Sequence, residues 1–135
     1  MVFDIRTQAL VNLALQVLLI IILSAAVFLA KKRNLGKHCM IVRAAVIVQI
    51  IAIALIMLPS LLGYVENIKP NLFLAEMLAH HTIGLLLILV WIYINLVFTG
   101  RMRSSINLKT VMRLALMLWI ISLILGIHMY TKIYL

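Results

Sequence analysis

The chain has 135 residues, of which 67% are hydrophobic and 11% are charged, and its formal net charge is +9. A water-soluble domain of this size carries far more polar residues, so the composition indicates an integral membrane protein. The basic residues flank apolar stretches, where anionic head groups and the preference for basic cytoplasmic loops account for them. We therefore expect a lipid bilayer, and no nucleic acid, as the partner of this charge.

Four apolar stretches follow one another along the chain, at roughly 8–30, 40–63, 72–98 and 111–131. Each is long enough to cross the hydrocarbon as a helix, which takes about 20 residues. Such long unbroken runs exclude a membrane β-barrel, whose strands have about 10 residues and alternate polar with apolar positions. The sequence predicts an all-α, integral membrane four-helix bundle, with residues 1–135 forming a single transmembrane domain.

Most basic residues lie at two of the three predicted turns. By the positive-inside rule these two turns are cytoplasmic, so both termini and the middle loop face the outer side of a multi-pass protein of the cell membrane. At the first turn the basic residues are Lys31, Lys32, Arg33, Lys37 and Arg43, and at the third turn they are Arg101, Arg103, Lys109 and Arg113.

The first two predicted helices carry a few polar residues within their apolar runs. Asn12 and Gln16 lie one turn apart on the first helix, and Gln49 lies on the second. Amides inside a span more often bond neighbouring helices than line a quinone or proton path, so we assign them to helix packing. His38 opens the second helix, and Pro59 is expected to bend or end it.

The third predicted helix contains two adjacent histidines, His80 and His81. At about 100 degrees per residue, His80 shares a stripe of polar and small residues with Glu76 and Gly84, whereas His81 lies at the margin of that stripe. We therefore expect His80 to be the interior histidine. Gly84, one turn from His80, would let either another helix or the flat face of a porphyrin approach the backbone.

The fourth predicted helix has Trp119, Ser122 and Gly126 on one side and His128 on nearly the opposite side. If the first group faces the bundle core, His128 points toward the first helix, the lipid head groups or a second copy of the chain. The last possibility predicts a homodimer in which two chains share a haem.

His80, His81 and His128 are all expected at similar depth in the outer leaflet. Two neutral imidazoles from different helices are the ligands of six-coordinate, electron-transfer haem iron. The chain has no C-x-x-C-H motif, so the cofactor would be haem b without covalent attachment. The candidate iron ligands are His80 and His128, with His81 as the alternative and Gly84 beside the porphyrin. Another metal ion, such as copper or zinc, and no metal at all remain open alternatives.

Several short motifs resemble those of a family of small four-helix membrane proteins known as domain of unknown function 420. The resemblance implies a respiratory membrane, a role in the biogenesis or operation of haem-copper oxidases, and histidines that bind haem or metal. The chain departs from the family at Pro59 and Leu108, where the family has further histidines, which implies one haem at most within a protomer. The matching positions are Asn12, His38 before Ala44 and Ala45, His80 before Gly84, and the series Arg113, Trp119, Gly126 and Tyr130.

Together these features lead to the hypothesis of a small membrane b-type cytochrome that transfers single electrons between a quinol or oxidase-type respiratory partner and an outer acceptor. Such a protein is an electron carrier or haem-binding subunit rather than a stand-alone enzyme. The alternative hypothesis is a non-catalytic subunit or assembly factor of a membrane respiratory complex.

Overall fold

The computed structural model describes residues 4–66 and 73–135, and 88% of these residues are helical. No strand occurs in the described part of the chain, which confirms the all-α prediction. The contacts divide the chain into two compact units, Met1–Pro70 and Asn71–Leu135, which are described in turn. Four helices are long and apolar enough to cross a membrane, as expected of a multi-pass membrane protein: Arg6–Lys31, Leu35–Gly63, Leu74–Phe98 and Leu108–Tyr134.

The first unit is a helical hairpin formed by α1 (Ile5–Lys31) and α2 (Leu35–Ala52). The turn between them closes with two backbone hydrogen bonds, Arg33 N to Ala30 O at 3.0 Å and Asn34 N to Leu29 O at 2.9 Å. This pairing is a Schellman motif, and it places Arg33 in the left-handed region with a φ of 59°.

Small and aliphatic side chains fill the space between α1 and α2, together with one buried pair of amides. Gln16 Nε2 donates to Gln49 Oε1 over 2.7 Å. This bond confirms the prediction that these two amides join neighbouring helices. Asn12 differs, because its Oδ1 is buried and has no hydrogen-bond partner among the described residues. The buried apolar residues are Leu19, Leu23, Ala26, Ala45, Val46 and Ala52.

Beyond α2 the helix widens into one π-helical turn, Ile53–Met57, and continues as α3 (Leu58–Glu66). Leu58 N donates to Ile53 O, five residues back. Pro59 follows at once; it has no N–H, and its ring would clash with the carbonyl four residues earlier in a regular helix. The proline therefore widens this helix locally without ending it. The predicted loop between the second and third helices lies largely at residues 67–72, outside the described residues.

The second unit is a hairpin of α4 (Leu74–Phe98) and α5 (Leu108–Tyr134). A Schellman motif ends α4: Gly100, with a φ of 74°, donates to Val97 O, and Arg101 N donates to Leu96 O. Both helices begin and end within three residues of the predicted bounds. Every third or fourth residue of α5 is buried in the series Val111, Ala115, Trp119 and Ser122, and α4 buries Met77, Leu87 and Ile94.

Candidate functional site

The histidines of the second hairpin cluster at its open end, near the start of α4 and the end of α5. His80 is half-buried, and its Nδ1 lies 2.9 Å from the backbone carbonyl oxygen of Ser122 on α5. A carbonyl only accepts, so Nδ1 carries the proton and donates. In the neutral imidazole, Nε2 therefore holds the lone pair that a metal would bind.

Gly126 makes room for the His80 ring one turn further along α5. A Cβ added at Gly126 would lie 3.4 Å from His80 Cε1 and 3.9 Å from His80 Nδ1. The sequence predicted that Gly126 lies on the same side of α5 as Trp119 and Ser122, but it did not predict the contact with His80. The signal available was the four-residue spacing of Ser122 and Gly126, which puts both on one helix face.

Gly84, in contrast, has open space beside it. A Cβ added there would meet nothing within 4 Å outside its own helix backbone. The close helix contact that was one expectation for Gly84 is thus not found among the described residues. The approach of a porphyrin to this backbone stays a prediction.

His81 turns away from α5. Its Nδ1 donates to the carbonyl oxygen of Met77 on the same helix over 2.8 Å, and its ring meets His80 edge-on, with centroids 5.4 Å apart and an interplanar angle of 83°. Among the described residues, His80 is the one of the pair that bonds the neighbouring helix, which is consistent with the interior position predicted for it. Adjacent side chains diverge by about 100 degrees, so these two rings are not placed to bind one iron from opposite faces.

His128 makes a contact with α4 that the helical wheel did not predict. Its Nδ1 is 2.9 Å from Glu76 Oε2 on α4, and the two side chains are 47% and 34% exposed. The contact joins the ends of two long side chains at the open end of the hairpin, while nearly half of the His128 side chain stays exposed. That His128 also faces the first helix, the head groups or a second copy, and that two chains share a haem, stay predictions.

The donor set distinguishes among the metal alternatives. The described residues contain no group of three or more His, Cys, Asp or Glu placed to hold a metal ion, so they do not provide the three or four ligands of a zinc site. Axial coordination of haem needs only two imidazoles. His80, His81 and His128 each hold Nδ1 against a carbonyl or carboxylate oxygen, the arrangement typical of metal-bound histidines. Axial ligation of a haem by two of these imidazoles stays a prediction.

His38 makes the same kind of bond in the first hairpin. Its Nδ1 lies 2.8 Å from the carbonyl oxygen of Ala26, so the first turn of α2 is bonded to α1. His38 therefore provides an internal comparison for the histidines of the second hairpin.

No protein-family model, curated protein or solved structure matches the chain. The resemblance to the domain of unknown function 420 family accordingly stays a prediction.

Proposed function

We propose that this chain is a small membrane cytochrome b that binds one haem through His80 and His128 and carries single electrons in a respiratory membrane. The observation that best supports the proposal is the pair of Nδ1 hydrogen bonds from these two residues. The bond from His80 ends on the Ser122 carbonyl and the bond from His128 ends on the Glu76 carboxylate. When the rings are neutral, both bonds leave Nε2 as the atom that can coordinate a metal.

Hydrogen-bond acceptors on the facing helix support His80 and His128 as the proposed ligands. A hydrogen bond at Nδ1 fixes the tautomer and orientation of an imidazole and makes Nε2 more basic. The Ser122 carbonyl is the acceptor for His80, at a half-buried position, and the Glu76 carboxylate is the acceptor for His128. Haem bound there would supply a reversible one-electron change at iron. His81 remains the alternative ligand, and Gly84 leaves space beside α4.

The visible spectrum of the purified protein tests the proposal. Protein expressed with ample haem should show a b-type α band after reduction with dithionite, and a spectrum without that band would overturn it. His80→Ala and His128→Ala should each abolish or shift the band, whereas the matched variant His38→Ala should retain it. If His81→Ala removes the band while His80→Ala does not, His81 takes the place of His80 as the ligand that pairs with His128. Far-UV circular dichroism confirms that each variant is folded.

A second function is supported by a different observation. All four histidines already donate to an oxygen within their own hairpin, so their burial is partly compensated without a metal. This fits a non-catalytic subunit or assembly factor in which histidines fasten helices together. Co-purification from native membranes separates the two functions. If a triple alanine variant of His80, His81 and His128 retains a respiratory complex as partner, and the unmodified protein lacks haem, the second function is correct.

A further inference from the structure

The turn between α4 and α5, residues 99–107, differs in charge from the rest of the second hairpin. It exposes Arg101 and Arg103, and the first two turns of α5 add the exposed Lys109 and Arg113. Residues 99–113 contain no Asp or Glu, and these four cations form no ion pair in the described part of the chain. We call residues 99–107 the arginine turn. Its uncompensated positive charge favours an anionic partner.

Ser104 bonds the arginine turn to itself and to α4. Its hydroxyl donates to the Ile106 carbonyl over 2.6 Å and accepts from the Ile106 N–H over 3.2 Å. Since its one proton is used, the 2.7 Å contact with Tyr93 must be a bond donated by the tyrosine hydroxyl. The middle of the turn is therefore bonded to α4, next to the segment that carries Arg101 and Arg103.

The arginine turn also exposes two apolar side chains. Met102 is 44% exposed and Ile106 is 57% exposed, although both lie just outside the apolar spans, which end at Phe98 and restart at Leu108. Apolar and cationic side chains side by side at this depth match the boundary between acyl chains and head groups. A turn facing only water or a soluble polyanion would gain nothing from the exposed Met102 and Ile106.

The turn of the first hairpin is also basic but is built differently. Only residues 32–34 separate its helices, and the Lys32 ammonium lies 4.5 Å from the centre of the Phe28 ring. One of its cations is thus already engaged by a neighbouring side chain. One guanidinium can donate two hydrogen bonds to two oxygens of the same phosphate, whereas an ammonium acts as a point charge. The arginine turn is therefore better suited to a phosphate.

We propose that the arginine turn is a docking surface for the head group of an anionic phospholipid. Arg101 and Arg103 bind the phosphate, while Met102 and Ile106 contact the adjoining acyl chains. The surface goes beyond orienting the chain in the membrane, because it selects one class of lipid at one turn. It is independent of haem and of the histidines.

Purified full-length protein in detergent, titrated with phosphatidylglycerol or phosphatidylcholine and followed by native mass spectrometry, tests this proposal. Phosphatidylglycerol should bind preferentially. The double variant Arg101→Gln, Arg103→Gln should bind it about tenfold more weakly for each arginine removed, since a hydrogen bond to a charged group contributes about 1.5 kcal/mol. The matched double variant Lys31→Gln, Lys37→Gln should bind it as the unmodified protein does.

Two further measurements distinguish an ordered lipid site from diffuse charge and from a phosphate site. Ser104→Ala keeps every cation but releases the turn, so it should weaken phosphatidylglycerol binding while the thermal midpoint stays close to that of the unmodified protein. Inorganic phosphate at the same concentration should not displace the lipid. The proposal fails if the two lipids bind equally, if the arginine variant or Ser104→Ala binds normally, or if phosphate displaces the lipid.

Discussion

His80 on α4 donates from Nδ1 to the main-chain carbonyl oxygen of Ser122 on α5, 2.9 Å away. The acceptor belongs to the backbone, so a change of side chain at position 122 leaves it in place. The bond instead depends on whether the imidazole ring fits against α5, and the residue that decides this is Gly126.

Gly126→Leu should therefore break the bond between His80 and Ser122. An added Cβ would already lie 3.4 Å from His80 Cε1, and the larger side chain would need the space of the ring. We expect a loss of about 1–3 kcal/mol of stability, typical of overpacking, and a changed ¹⁵N shift of His80 Nδ1. Thermal unfolding in detergent and NMR of labelled histidine measure these effects. Gly84→Leu is the control and should change stability little, because its surroundings are open; equal losses in both variants would contradict the prediction.

Glu76→Gln tests the support that His128 receives. The amide oxygen of glutamine can still accept from Nδ1, but a hydrogen bond to an uncharged oxygen is weaker than one to a carboxylate. If His128 binds haem as proposed, haem affinity should fall about 10–100-fold, as for other outer-shell ligand partners. Titration with haemin measures the affinity, and Asp4→Asn, which removes an exposed acid at the start of α1, is the control. Normal affinity in Glu76→Gln would exclude His128 as a ligand supported in this way.

The sequence predicted the helices from the length of the apolar stretches. It predicted the inward position of His80 from the helical period, which gives the direction of each Cα–Cβ bond. It did not predict the contact between His128 and Glu76. A helical wheel places Cβ atoms, whereas the ends of these two side chains extend well beyond them and meet at a half-exposed edge. The role of Ser104 was equally hidden, because it depends on how a nine-residue turn folds back on Tyr93.

The buried amide pair of the first hairpin should behave as a coupled unit. Gln49→Met removes the 2.7 Å bond from Gln16 while keeping a similar side-chain shape. We expect a loss of about 0.6 kcal/mol and at most about 1.7 kcal/mol, the average and the largest value for side-chain hydrogen bonds between membrane helices. The double variant Gln16→Met, Gln49→Met should recover part of this loss, because two apolar side chains leave no unpaired amide from this bond. Steric-trapping measurements in bilayers give the stabilities, and additive losses would contradict the coupling. Ser24→Ala, at an exposed position bonded to its own helix, is the control.

The two turns allow a matched test of backbone strain, because Arg33 and Gly100 occupy the same position in two Schellman motifs. Their φ values are 59° and 74°, a region that costs a residue with a side chain about 1–2 kcal/mol. Arg33→Gly should therefore stabilise the first hairpin by about 1 kcal/mol, and Gly100→Ala should destabilise the second by a similar amount. Arg33→Ala separates backbone from charge, since it removes the guanidinium but keeps the unfavourable conformation. Thermal unfolding in detergent should rank position 33 as glycine above alanine, with alanine close to arginine. A gain in Arg33→Ala as large as that in Arg33→Gly would show that the removed charge, and not the left-handed backbone, is responsible.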